Sequence, residues 1–132
     1  MVTRRFSILL LAASASAFAG VYDRPWSTVE TADHSAVRKE FPAAITRIDG
    51  QSTRDTRRPD PIEPGKHQIT IRYETGRVNQ SEAESTRVVE MDLEPCTRYR
   101  IAAQRQEGTK WEPKVYSEAI SECVRKFQKP AS

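Results

Sequence analysis

The sequence is poor in residues that carry chemistry. Among 132 residues there are two histidines and two cysteines. A hydrolase needs a nucleophile, a base and an orienting acid within reach of one another. No G-x-S-x-G elbow is present, and no Walker loop or dinucleotide fingerprint. Metal sites hold their ligands at tight spacings. Here His34, His67, Cys96 and Cys123 are scattered along the chain. The 18 acidic residues are numerous enough that a carboxylate pair somewhere has no diagnostic weight. The expectation is a protein that is not an enzyme, with no catalytic residues, no cofactor and no metal.

Long hydrophobic runs are missing too. The apolar stretch from Phe6 to Ala13 is far shorter than the ~20 residues of a membrane anchor. It lies between Arg4-Arg5 and Ala17-Phe18-Ala19. A basic segment, an apolar segment and an A-x-A site together read as a secretory signal peptide over residues 1–19. Thr3-Arg4-Arg5 leaves the general and twin-arginine export routes both open. No cysteine follows the apolar segment, which argues against lipid attachment at a new N-terminus. The expected location is periplasmic or secreted, with no integral membrane segment once the signal is removed.

Cleavage changes the charge arithmetic. Removing 19 of 132 residues leaves 132 − 19 = 113. Lys+Arg falls from 21 to 19 against 18 acids, so the formal charge becomes 19 − 18 = +1 rather than +3. A nucleic-acid partner calls for a concentrated positive face, and none is expected here. In an exported chain, two cysteines read as one disulfide, Cys96–Cys123.

What is present is strand pattern. After Glu63-Pro64-Gly65-Lys66, the residues His67, Ile69, Ile71 and Tyr73 alternate with Gln68, Thr70 and Arg72. Pro64 presets φ and Gly65 supplies positive φ for a type II turn. The period of two predicts a half-buried strand. His67 sits at the wet end of its buried face, as a packing residue rather than a ligand. A second strand, 87–93, alternates Arg87, Val89, Met91 and Leu93 with Val88, Glu90 and Asp92. A third, 97–103, alternates Thr97, Tyr99, Ile101 and Ala103 with Arg98, Arg100 and Ala102.

Residues 27–31 have strand composition. Residues 35–41 fit a short helix or an extended edge, stopped by Pro42. Residues 43–50 read as a strand ending in an Asp49-Gly50 turn. Residues 51–65 form a long loop with three prolines and room for one weak edge strand, and 76–86 a polar loop containing the sequon Asn79-Gln80-Ser81. Pro113 makes 110–117 an edge or bulged strand. Residues 124–132 are expected to fray. The organisation is thus signal (1–19), N-terminal extension or first edge strand (20–42), β-sandwich (43–123) and flexible tail (124–132). Five or so short strands without a strong helix predict an all-β sandwich.

The stretch "LEPCTRYRIAA", 93–103, resembles the corner between two strands in fibronectin type III and related immunoglobulin-like domains. Those read Leu-x-Pro-Gly-Thr-x-Tyr-x-apolar-x-apolar. Leu93, Pro95, Thr97, Tyr99, Ile101 and Ala103 fit, and Cys96 stands where the family has Gly. The resemblance implies a single immunoglobulin-like β-sandwich, of fibronectin type III or transthyretin-like kind. Tyr99 would be the corner tyrosine, bonded to nearby backbone. The flanking strands would then lie in opposite sheets. The competing reading is a tight hairpin centred on Pro95, pairing Met91 with Tyr99 and Val89 with Ile101. The chain from about 30 to 123 also resembles small exported bacterial proteins with an "IDG" turn, a "PGKH" strand, a "PC-x-RY" segment and a "WEP" strand. That likeness implies fold and export, not chemistry.

A small, exported, stapled domain acts through its surface. The expected function is binding to another protein of the cell envelope, or support of an envelope assembly. Rivals are a periplasmic inhibitor of a protease or lysozyme, and a small-ligand or glycan-binding module. The candidate surface comprises Arg54, Arg57 and Arg58, in a loop stiffened by prolines, and the edge bearing Trp111 and Tyr116. Pro64, Gly65 and Tyr99 are assigned structural roles.

Overall fold

A computed structural model describes residues 20–53, 60–73, 81–108 and 110–128. The expected signal peptide, the sequon asparagine and Arg54, Arg57 and Arg58 lie outside them.

Eight strands form two four-stranded sheets. The second contains β3 (Ala44–Ile48), β4 (Gln51–Ser52), β5 (Gly65–Arg72) and β6 (Thr86–Leu93), in the order β4-β3-β5-β6. β5 and β6 pair without slippage from Gly65↔Leu93 to Arg72↔Thr86. Their inward residues meet as His67↔Met91 and Ile69↔Val89. Ile69 and Ile71 are fully buried and Tyr73 nearly so, as the alternation predicts. Asp49 and Gly50 both take left-handed backbone, at φ 51° and 78°. That is the conformation a two-residue hairpin turn requires, and it joins β3 to β4.

The first sheet is built around β7 (Thr97–Arg105). β8 (Trp111–Ala119) covers one whole side of it. On the other side, β1 (Thr28–Thr31) runs parallel to its first half and β2 (Glu40–Pro42) antiparallel to its second. β8 has no strand on its outer side among the described residues, so Pro113 withdraws no hydrogen bond from a neighbour there.

The choice at residues 93–97 is settled by the pairing. β6 belongs to one sheet and β7 to the other, so the chain crosses at a corner and makes no hairpin. The Tyr99 hydroxyl accepts the Glu94 N–H at 2.8 Å. Cys96 has φ 54°, left-handed backbone where the resembled pattern has Gly. Its amide donates to the Trp26 carbonyl and its carbonyl accepts from Ile120, each at 2.8 Å. Cys96 and Cys123 are disulfide-bonded.

The main core joins Val29, Ile69, Ile71, Leu93, Tyr99, Ile101 and Trp111 from both sheets. A smaller cluster under the corner joins Trp26, Cys96, Ile120 and Cys123. Two sequence expectations are corrected here. Residues 124–127 do not fray but belong to helix α2 (Ser121–Phe127), whose Val124 and Phe127 pack on that cluster. The disulfide and the Trp26 surface supply the burial that the polar sequence does not advertise. The 76–86 segment ends in a single helical turn, α1 (Glu82–Ser85), rather than in loop throughout.

Residues 20–42 contribute two strands and the buried Trp26, Val29 and Ala32. Gly65 has the expected positive φ, but at 121°, wider than the ~80° of a type II turn. It already pairs with Leu93 as the first residue of β5. No described helix is long and apolar enough to cross a membrane.

Candidate functional site

Of the candidate surface residues, Arg54, Arg57 and Arg58 lie outside the described residues, and Trp111 and Tyr116 do not form one exposed patch. Trp111 is 2% exposed, so it is not a surface contact. Its indole N–H donates to the Glu84 carbonyl at 2.9 Å, its ring meets Tyr73 at 5.6 Å, and the Arg87 guanidinium covers it at 4.9 Å. An indole at the end of an edge strand can point either way in sequence. Here α1 supplies the acceptor that lets it turn inward.

Tyr116 is half-buried and reaches across β7 to β2, where its hydroxyl donates to Glu40 Oε1. Ala102, wholly buried, is the small residue of β7 between those two strands. The hydrogen bond to Glu40 raises the Tyr116 pKa, so its O–H stays a donor. Glu40 is 1% exposed, and its second oxygen takes the Arg38 Nε at 3.2 Å. A buried carboxylate needs such partners.

Those bonds brace a turn. Ser35 and Glu40 exchange both backbone hydrogen bonds at 2.9 Å, and the Lys39 N–H closes on Ala36 at 3.2 Å. Arg105 N–H donates to the Lys39 carbonyl at 2.9 Å. The Arg38 guanidinium lies 5.4 Å from the Tyr116 ring centre. At the tip, Val37 is 95% exposed. The short helix or extended edge expected over 35–41 is extended only from Glu40, where β2 begins, and residues 35–39 form this turn. The available signal was a valine isolated among Ser, Ala, Arg and Lys, out of phase with any apolar period.

Beside the turn lies an open groove of about 500 Å³, lined by His34, Lys39, Phe41, Arg105 and Gln106 among others. His34 packs on Phe41 at 4.9 Å, and Arg105 lies 5.7 Å from the same ring. Lys39 and Arg105 have no ion-pair partner among the described residues. On the outer face of the first sheet the cations are engaged differently. Arg100 bonds Glu30 at 2.8 Å and Glu118 at 3.1 Å, and Arg98 bonds Glu118 at 3.1 Å.

At the opposite end, a cleft of about 400 Å³ is lined by Asp49, Lys66, His67, Glu90, Met91 and Asp92, with Gln68. His67 Nδ1 meets Asp49 Oδ2 at 2.5 Å and Nε2 meets the Glu63 carbonyl at 2.6 Å. Both partners are acceptors, so only the doubly protonated ring satisfies both contacts. Burial alone pushes the imidazole pKa down; the Asp49 bond and the Glu63 carbonyl outweigh it, and the net shift is upward. Asp49 is held below its ordinary pKa, first by the Gln68 N–H at 2.8 Å and then by His67. The clamp ties the β3–β4 turn to the start of β5. No group of three or more metal-ligating side chains occurs among the described residues.

No family model, curated protein or solved structure matches the chain.

Proposed function

We propose that this is an exported, non-catalytic domain that binds another protein of the cell envelope, with the Ser35–Glu40 turn as its contact. The observation that carries this reading is Val37, 95% exposed on a turn braced from below by Glu40, Tyr116, Arg38 and Arg105. A single exposed valine is ordinary on a protein surface. Here the buried Glu40 side chain, bonded to Tyr116 and Arg38, stands at the foot of the turn that carries it. A preformed contact loses less conformational entropy when it binds. The same rigidity favours, as a second reading, an inhibitor of a protease or lysozyme, whose inserted loop must be preformed.

His67 supports the non-catalytic part. A His–Asp pair is the core of many active sites, but a general base needs one free nitrogen. Both nitrogens of His67 are taken. The immunoglobulin-like kinship rests on the corner: Tyr99 bonded to backbone and a left-handed residue at position 96.

The test is site-specific photo-crosslinking in cells, with the reactive residue at position 37 or, as a control, at exposed Glu122 on α2. Position 37 is expected to yield a discrete adduct with an envelope protein that position 122 does not. No adduct at 37, or the same adducts at both positions, would sink the reading.

A further inference from the structure

Val37, Lys39 and Arg105 set the chemistry of whatever receives the turn. The receptor needs an apolar floor for the valine and carboxylates for two unpaired cations. The described surface of this chain itself offers such a place. In the cleft at the other end, Met91 forms part of the wall, and Glu90 and Asp92 have no ion-pair partner among the described residues. Asp49 is occupied by His67 and the Gln68 amide. Among its lining residues three carboxylates (Asp49, Glu90, Asp92) face Lys66 and His67, and the Glu63 carboxylate acts on His67 from beside them.

The two features cannot meet within one molecule. β7 starts at the corner with Thr97 and ends at Arg105, whose amide holds the turn. The cleft lies where β5 begins and β6 ends, at Gly65↔Leu93, beside the corner. The eight steps along β7 put the turn and the cleft roughly 26 Å apart, at ~3.3 Å per residue. We propose that the partner of the Ser35–Glu40 turn is a second copy of this chain. Val37 of one molecule enters the Glu90–Met91–Asp92 cleft of the next, and Lys39 and Arg105 meet its carboxylates. The proposal rests on the turn being a docking element. Because two different surfaces meet, the contact is head-to-tail, and an open assembly built from it carries a free turn and a free cleft at its ends. A repeating contact of this kind suits support of an envelope layer.

Sedimentation velocity on the purified protein tests it. At ~0.05 M salt the weight-average sedimentation coefficient should rise with concentration without a closed end point. At ~0.5 M salt it should fall toward that of the monomer, because facing surface charges are screened. Val37→Asp should remain monomeric, and so should Glu90→Lys combined with Asp92→Lys. Each should weaken association at least about tenfold, ~1.4 kcal/mol. All three positions are exposed, so the fold should survive, as circular dichroism will show.

Mixing the two variants is decisive. One retains an intact cleft and the other an intact turn, so the mixture should form dimers and nothing larger. A wild type that stays monomeric at every concentration, or a mixture that fails to dimerise, overturns the proposal. If the wild type is monomeric while position 37 still crosslinks to a different envelope protein, self-docking fails and the docking turn stands. If position 37 crosslinks nothing, both readings fall.

Discussion

At the scale of single residues, the corner depends on Cys96 as backbone and as side chain. Its φ of 54° is left-handed, which costs a residue with a Cβ roughly 1–2 kcal/mol. The disulfide to Cys123 and the two backbone bonds to Trp26 and Ile120 hold it there. Backbone and sulfur can be separated. In a chain already carrying Cys123→Ser, Cys96→Gly should be more stable than Cys96→Ser by about 1 kcal/mol, since glycine takes that φ freely. Urea midpoints of the two double variants decide it. Equal midpoints would mean the left-handed backbone costs nothing. Gly65, at φ 121°, presents the same constraint without a sulfur, and Gly65→Val should destabilise by about 1–3 kcal/mol.

His67 links residue chemistry to pH. Its folded pKa is raised above 6.5, so its stabilising contribution is complete below pH 6.5 and is lost as pH rises through the raised value. Asp49 is lowered from 3.8, so its contribution is present above pH 3.8 and is lost as pH falls through the lowered value. The clamp is therefore strongest between those two ordinary values. Unfolding free energy of the wild type should decline above pH 6.5, and His67→Gln should remove that decline. An unchanged decline in the variant would assign it elsewhere.

At the scale of elements, the C-terminal helix α2 is held by the staple more than by its own propensity. Helix α2 is seven residues long and has no side-chain N-cap, so alone it would not persist. It stays because Cys123 ties it to the corner and Phe127 meets Trp26 at 6.1 Å. Loss of the disulfide should cost roughly 3–4 kcal/mol on the chain-entropy account. It should also raise amide exchange across 121–127 well before β7 is affected. Uniform loosening of the whole domain would contradict that order. β8 is anchored differently, through Trp111. Trp111→Ala should cost about 3–5 kcal/mol, whereas Val37→Asp, at a surface tip, should stay within about 0.5 kcal/mol. Thermal melts of the pair separate core from contact in one experiment.

At the scale of the molecule, the two sheets present different outer surfaces and the two ends carry opposite unpaired charge. The overall charge hides this, because Arg98 and Arg100 are matched by Glu30 and Glu118 on the sheet face. Lys39 and Arg105 at one end, and Glu90 and Asp92 at the other, have no ion-pair partner among the described residues. Export belongs to this scale as well. Cleavage after Ala19 should leave a protein whose intact mass, measured from the exported fraction, lacks residues 1–19. A full-length mass in that fraction would remove the signal-peptide reading.

Local pattern and chain chemistry determined much of this from the sequence alone. The alternation of Ile69, Ile71, Val89, Met91, Tyr99 and Ile101 specified strands and their inward faces, because a period of two is a property of each strand by itself. Asp49-Gly50 specified a turn for the same reason. The two cysteines specified their bond, since each had no other to pair with. Interactions between distant segments were left to the tertiary structure. Whether 93–97 was hairpin or corner depended on which sheet received β7: the hairpin register matched apolar partners, while the Leu-x-Pro-x-Thr-x-Tyr spacing matched the corner. Trp111 turned inward because Glu84, 27 residues earlier, offered a carbonyl. The Ser35–Glu40 turn became rigid because Tyr116, 76 residues away, reached Glu40 across the small Ala102. Such contacts bring together groups whose sequence neighbours have no knowledge of one another, so no local period could announce them.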